Sequence, residues 1–187
     1  MTKLVVSEFV SLDGVMQAPG GEPGFRHHGW VLEHFAPEHD AYRYEELLET
    51  SALLLGRVTY EGFSGAWPTV TGEFADRMNA LPKYVVSGTL HEPLEWNASL
   101  LKGDLTGEVE TLKRQDGGGH IFVHGSRSLA QELLKRGLVD ELRLMVFPVI
   151  LGSGARLYSE SPDKTSLTLV GSRTFESGVV ALTYARK

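Results

Sequence analysis

Short apolar runs rich in Val, Leu and Ile alternate along the chain with stretches whose apolar positions recur at helical spacing. Residues 4–10 read as a strand, and residues 40–50 as a helix that keeps Tyr44, Leu47 and Leu48 in helical register. A buried-type strand at 51–55 stops at Gly56, and helical patterns follow at 58–63 and 74–81. Next come a strand at 84–87, a Pro-containing connection and a helix over 105–114. Gly117, Gly118 and Gly119 make a turn, because a strand at 120–123 follows at once. An amphipathic helix covers 128–136 with Gly137 as its C-cap. Strands at 141–151, 166–175 and 179–185 close the chain, with Gly171 marking a bulge and Gly178 a hairpin turn. Alternating strands and helices followed by a strand-rich carboxyl end predict an α/β fold, a sheet flanked by helices. The Gly/Pro-rich loop at 13–29 is long for a connection in a compact domain, which is the mark of a functional loop.

The length of 187 residues sets the expectation of one domain, 1–187. A hydrophobic content of 42% and a charged content of 22% belong to an ordinary globular protein. A net charge of −6 with scattered Lys and Arg excludes a generic nucleic-acid binder, since no basic face is available for phosphates. An anionic cofactor is still within reach, because a few Arg side chains and helix N–H groups suffice. The absence of cysteine excludes disulfides, Cys-ligated zinc, Fe–S clusters and thiol nucleophiles. The amino terminus runs straight into a strand without a signal-peptide pattern. The longest apolar run, 144–151, is far short of a membrane span and contains Pro148. A cytoplasmic protein with no membrane partner is expected.

Two segments carry candidate chemistry. At Gly56-Arg57-Val58-Thr59 a strand ends and a helix begins. Free N–H groups, the helix dipole, the Arg57 guanidinium and the Thr59 hydroxyl converge there, which suits a phosphate. An ordinary turn with Arg57 in a surface ion pair has the same pattern. At Gly125-Ser126-Arg127-Ser128-Leu129 a second strand feeds a helix, either to seat a pyrophosphate or merely to cap it with serine. Two such junctions in one chain favour a dinucleotide. Gly152-Ser153-Gly154 lacks the third glycine and the following helix of a Rossmann loop and reads as a turn. His27, His28, His34 and His39 show no metal-ligand spacing, so no metal is expected. Trp30 and Trp67 suit either the core or the wall of a flat heterocycle.

Taken together, these segments resemble the dihydrofolate-reductase-like superfamily, and more closely the stand-alone relatives of the reductase domain of the bifunctional riboflavin-biosynthesis deaminase/reductase. The resemblance rests on residues 11–16, 55–61, 83–90, 137–142 and 148–154 in their order and spacing. It implies a central, mainly parallel sheet with NADPH across the carboxyl ends of its strands. Gly56, Arg57 and Thr59 would face the cofactor phosphates, and Ser87 and Thr89 would lie near the adenosine. Gly125, Ser126, Arg127, Ser128 and Leu129 would cover the pyrophosphate. Asp13, Trp30 and His124 would line the substrate pocket, with the loop at Asp13 and Gly14 closing over the nicotinamide. Asp40 matches the carboxylate that dihydrofolate reductases place on their first long helix, to orient substrate or supply a proton. A helix N-terminal Asp complementing the dipole would look the same. His124 stands where the riboflavin reductases carry a glutamate. The implied activity is hydride transfer from NADPH to a C=N or C=O group of a small heterocyclic or ribosylamino molecule, by a homodimer. A non-catalytic nucleotide-binding module of the same fold is the alternative.

Overall fold

The structure is a computed structural model that describes residues 2–115, 117–160 and 164–187. Among these residues eight strands form one sheet: β1 (Leu4–Ser11), β2 (Thr50–Gly56), β3 (Lys83–Val86), β4 (Ala98–Leu101), β5 (His120–His124), β6 (Glu141–Phe147), β7 (Leu167–Thr174) and β8 (Val180–Arg186). The helices are α1 (Pro37–Glu49), α2 (Arg57–Ala66), α3 (Glu73–Ala80), α4 (Leu105–Arg114) and α5 (Arg127–Lys135). The strand order is β4-β3-β2-β5-β1-β6-β8-β7. The first six of these strands pair in parallel, and β8 and β7 add an antiparallel edge. The expected α/β class and strand-rich carboxyl end are both present.

The two faces of the sheet carry separate apolar layers. On one face Leu4, Val6 and Val10 of β1 meet Val109 and Leu112 of α4 and Leu129, Ala130 and Leu133 of α5. On the other, Val5, Leu53 and Leu55 meet Leu47 of α1, Tyr60 of α2 and Met78 of α3. The period-two alternation of β1 sends its side chains to both layers. Each fully buried Leu or Val contributes about 1.5–3 kcal/mol relative to exposure. Trp30, Val31, Phe147, Phe175 and Val179 form a third cluster that holds the long loop after β1.

Three element boundaries differ from the sequence pattern for physical reasons. Strand β4 lies inside the segment read as a Pro-containing connection. Its residues are half-buried or exposed, and pairing with β3 rather than an apolar pattern creates it. Strand β6 ends at Phe147, because Pro148 has no N–H to continue a ladder. Helix α1 begins at Pro37, three residues before the expected start, with Pro at its first position. The Ala36 N–H there donates to His39 Nδ1 at 3.1 Å, so a histidine does the work of a capping-box acid.

Candidate functional site

Because β5 lies between β2 and β1, the turns that leave β2 and β5 are neighbours at the carboxyl edge of the sheet. The Gly56 N–H donates to Ser126 Oγ at 2.7 Å, tying the start of α2 to the start of α5. Ser126 therefore occupies the N-cap position of α5 without capping it, since its hydroxyl is engaged by the other junction. Gly125 (φ +68°) and Ser126 (φ +60°) are successive left-handed residues, a conformation that costs a residue with a Cβ about 1–2 kcal/mol. A Cβ on Gly56 would lie 3.1 Å from Ser126 Oγ, and one on Gly125 would lie 3.2 Å from Thr59 Oγ1. The bare backbone is what lets the two junctions close on each other.

These turns line a cleft of about 620 Å³. Eight predicted residues stand along it: Gly56, Arg57, Thr59, Gly125, Ser126, Arg127, Ser128 and Leu129. Val86 and Leu105 stand at the β3–α4 side, whereas Met16, Gln17 and Ala155 come from the loops after β1 and β6. Two helix N-termini with nearby guanidinium groups are an arrangement that favours an anion. Arg57 pairs at 2.9 Å with Glu61, one turn along the exposed side of α2. Such a pair is worth little, so the guanidinium is easily redirected.

Beneath these turns lies a residue the sequence reading passed over. Glu8 shares the β1 face of Leu4, Val6 and Val10, and it is only 5% exposed. Its Oε2 accepts the Gly125 N–H at 3.0 Å, while Oε1 has no hydrogen-bond partner among the described residues. Burial holds its carboxyl well above the usual carboxylate range, against the opposing pull of the Gly125 bond. An acid inside a Ser-Glu-Phe-Val strand offers no local signal that this position is buried.

The remaining candidates lie outside the cleft lining. Ser87 accepts the N–H groups of Thr89 and Leu90 in a turn just past β3. Asp13 accepts from Ser11 Oγ at 2.7 Å and from the Leu151 and Gly152 N–H groups at 3.1 and 2.9 Å. The Ser11 hydroxyl foremost, with the backbone N–H groups, lowers its pKa to about 2. The carboxylate thus latches the loop after β1 to the loop after β6. Gly14 and Met16 add backbone bonds to Leu157 and Ala155, so the expected mobile loop is tied down at this end. Trp30 is buried in the core, donates from Nε1 to the Gln17 carbonyl at 2.8 Å, and packs edge-on to Phe147.

His124 ends β5 on the other face, stacked on Phe122. Burial and then the nearby Arg43 lower its pKa to about 4, so it is neutral at physiological pH. Asp40 is exposed on α1. Arg43, one turn along, lies 5.1 and 5.4 Å from the ring centroids of Phe9 and Phe74.

The family model for the RibD C-terminal domain matches residues 2–181, and the chain belongs to that family. The uncharacterized protein YyaP of Bacillus subtilis (strain 168) is 28% identical over 97% of this chain and 94% of its own length. Among solved structures, a Shewanella sp. PV-4 protein provisionally assigned to riboflavin biosynthesis superposes with a TM-score of 0.79 at 24% identity. That match covers 100% of this chain and 99% of the other. The dihydrofolate reductase of Enterococcus faecalis, solved with NADP(H) and RAB-propyl, gives a TM-score of 0.64 at 15% identity, covering 99% and 96%. The fold is therefore dihydrofolate-reductase-like, as the motifs implied.

Proposed function

We propose that the protein is an NADPH-dependent reductase that delivers hydride to a C=N or C=O group of a small heterocyclic or ribosylamino substrate. The observation that carries this reading is the Gly56–Ser126 contact, which brings two helix N-termini to one cleft. The cleft fits the cofactor on three counts. Its volume lies within the range of small-molecule sites. Its glycines expose backbone N–H groups where a Cβ would crowd Ser126 and Thr59. Beneath its Gly125 wall lies a buried carboxyl whose Oε1 has no hydrogen-bond partner among the described residues.

The bound dinucleotide supplies the hydride, and the protein supplies position and electrostatics. The N-termini of α2 and α5, with Arg57 and Arg127, hold phosphate charge. Thr59 and Ser128 offer hydroxyl donors along the same wall. Met16, Gln17 and Ala155 line the end of the cleft beside β1.

Titration with NADPH and NADH, followed by fluorescence or melting temperature, tests this reading. Binding of NADPH, weakened about tenfold by Arg57→Ala, is expected. No binding of either dinucleotide overturns the proposal. Loss of reduced-nicotinamide absorbance with pterins or ribosylamino pyrimidines would mark turnover. Binding with no turnover across those substrates would favour the nucleotide-binding module.

A further inference from the structure

Glu8 pays for its burial without the usual compensation. A buried oxygen with no partner costs about 1–3 kcal/mol, and native structures seldom carry one without a use for it. Hydrophobic residues occupy positions 4, 6 and 10 of the same face, so packing alone gives no reason for an acid at position 8. Its bond to Gly125 ties it to a residue that lines the cleft.

We propose that Glu8 is the residue that recognises the carboxamide of the dinucleotide's nicotinamide ring. The proposal rests on the reductase reading and assigns one end of the cleft within it. The anion-binding junctions at Gly56 and Gly125–Ser128 occupy the middle of the cleft, with Val86 and Leu105 to one side. The other side is formed by Met16 and Gln17, on the loop that continues from β1 itself, and by Ala155, whose carbonyl accepts the Met16 N–H. Glu8 lies in the carboxyl half of β1, one position past the β1–β5 register pair Ser7–His124 and against Gly125. A dinucleotide whose phosphates sit at the two junctions and whose reactive ring takes this end brings its carboxamide toward Glu8.

The chemistry of the two groups is complementary. A primary carboxamide offers one acceptor and two donors, and a neutral carboxylic acid offers one donor and further acceptor capacity. The two planar groups pair through two hydrogen bonds, whereas a carboxylate accepts only. Burial favours the neutral acid, with Oε1–H to donate to the amide carbonyl, while Oε2 accepts the Gly125 N–H and keeps a second lone pair for the amide N–H.

No nearby charge forces Glu8 to ionise. The charged groups on the elements around it are Glu108, Glu110, Lys113 and Arg114 on α4, Arg127, Glu132 and Lys135 on α5, Arg57 and Glu61 on α2, Asp13 and Arg156 on the two loops, and Glu141 and Arg143 on β6. None of them hydrogen-bonds Glu8, and its register partner on β6 is the uncharged Leu144. His124, next to Gly125, has its pKa lowered to about 4 by burial and carries no charge over the range tested.

The test compares NADPH with 2′-phospho-ADP-ribose, which has the same phosphates and adenosine but no nicotinamide. Dissociation constants are measured between about pH 5.5 and about pH 9 for the wild type, Glu8→Gln and Glu8→Leu. Wild-type affinity for NADPH should fall with rising pH relative to 2′-phospho-ADP-ribose, by up to about tenfold per unit above the Glu8 midpoint. Glu8→Gln, which keeps a planar donor and acceptor, should bind NADPH within about threefold of the wild type's tight limit and lose this relative pH dependence. Glu8→Leu should bind NADPH about tenfold more weakly and 2′-phospho-ADP-ribose unchanged.

Carbon-13 NMR of the Glu8 carboxyl in the wild-type protein gives a reading that needs no variant to fold. NADPH should raise its titration midpoint, and 2′-phospho-ADP-ribose should leave it in place. A midpoint that NADPH does not move, or a Glu8→Leu variant that treats the two ligands alike, overturns the Glu8 assignment while leaving the reductase reading intact. Failure of the wild type to bind either ligand overturns both.

Discussion

Glu8 and Glu46 are buried to nearly the same degree, 5% and 4% exposed, on opposite sides of the central strand. Glu46 reaches down from α1 and is well supplied: Ser7 Oγ donates to both of its oxygens at 3.2 and 3.0 Å, and Arg143 lies 3.6 Å away. Arg143 in turn pairs with Glu49 and Glu141, each at 2.9 Å, so the acid belongs to a closed network. Among the described residues Glu8 has a single backbone N–H as partner. Burial raises the pKa of both acids, but at Glu46 the Arg143 charge and the Ser7 hydroxyl pull it back. The difference separates two uses of one residue type. An acid whose partners are all within the fold holds elements together, whereas an acid left short of partners is suited to a ligand that brings its own.

The sharpest test of this comparison is stability on truncation. Glu46→Leu strips a partner from Arg143 and from Ser7 and should cost about 2–3 kcal/mol in denaturant unfolding. Glu8→Leu should stay within about 1 kcal/mol of the wild type, because loss of the bond to the half-buried Gly125 N–H is offset by removal of the unmet carboxyl oxygen. Equal losses would erase the distinction. Gly125→Ala should cost about 1–2 kcal/mol through its left-handed backbone and the crowding of Thr59, and it should also weaken NADPH binding. Ser7→Ala removes one donor from Glu46 and should cost about 1 kcal/mol with no effect on NADPH affinity.

The smallest effect is one of sign. Glu8 has a folded-state pKa above its ordinary value of 4.5, so the folded protein holds this proton longer than the unfolded chain does. Stability from this group is therefore full below about pH 4.5 and is lost as pH rises through the folded midpoint. Melting temperatures of the wild type and Glu8→Gln should draw apart with rising pH, in favour of the variant. A gap that narrows would refute the direction.

The legible parts of the molecule are those where a few adjacent residues decide the structure. The run at 51–55, Gly56 and the helical pattern after it announce a strand, a stop and a helix start, and β2 and α2 meet there. The same holds for β5, Gly125 and α5. Asp13 was not legible in this sense. Two of its backbone partners, Leu151 and Gly152, lie 138 and 139 positions away, and an acid in a Gly/Pro-rich loop gives no sign that they will engage it. Strand β4 was hidden because its ladder with β3, not its own sparse apolar residues, makes it a strand.

The sequence by itself determined the alternation of strands and helices, the family, and two turns ready for an anion, because backbone periodicity and turn chemistry act over a few residues. Only the tertiary structure placed β5 between β2 and β1. That order brings the two turns into one cleft and lays the Gly125 junction over Glu8. Whether a carboxyl is ionised depends on what covers it and what donates to it, and those neighbours come from strands and helices far apart in the chain.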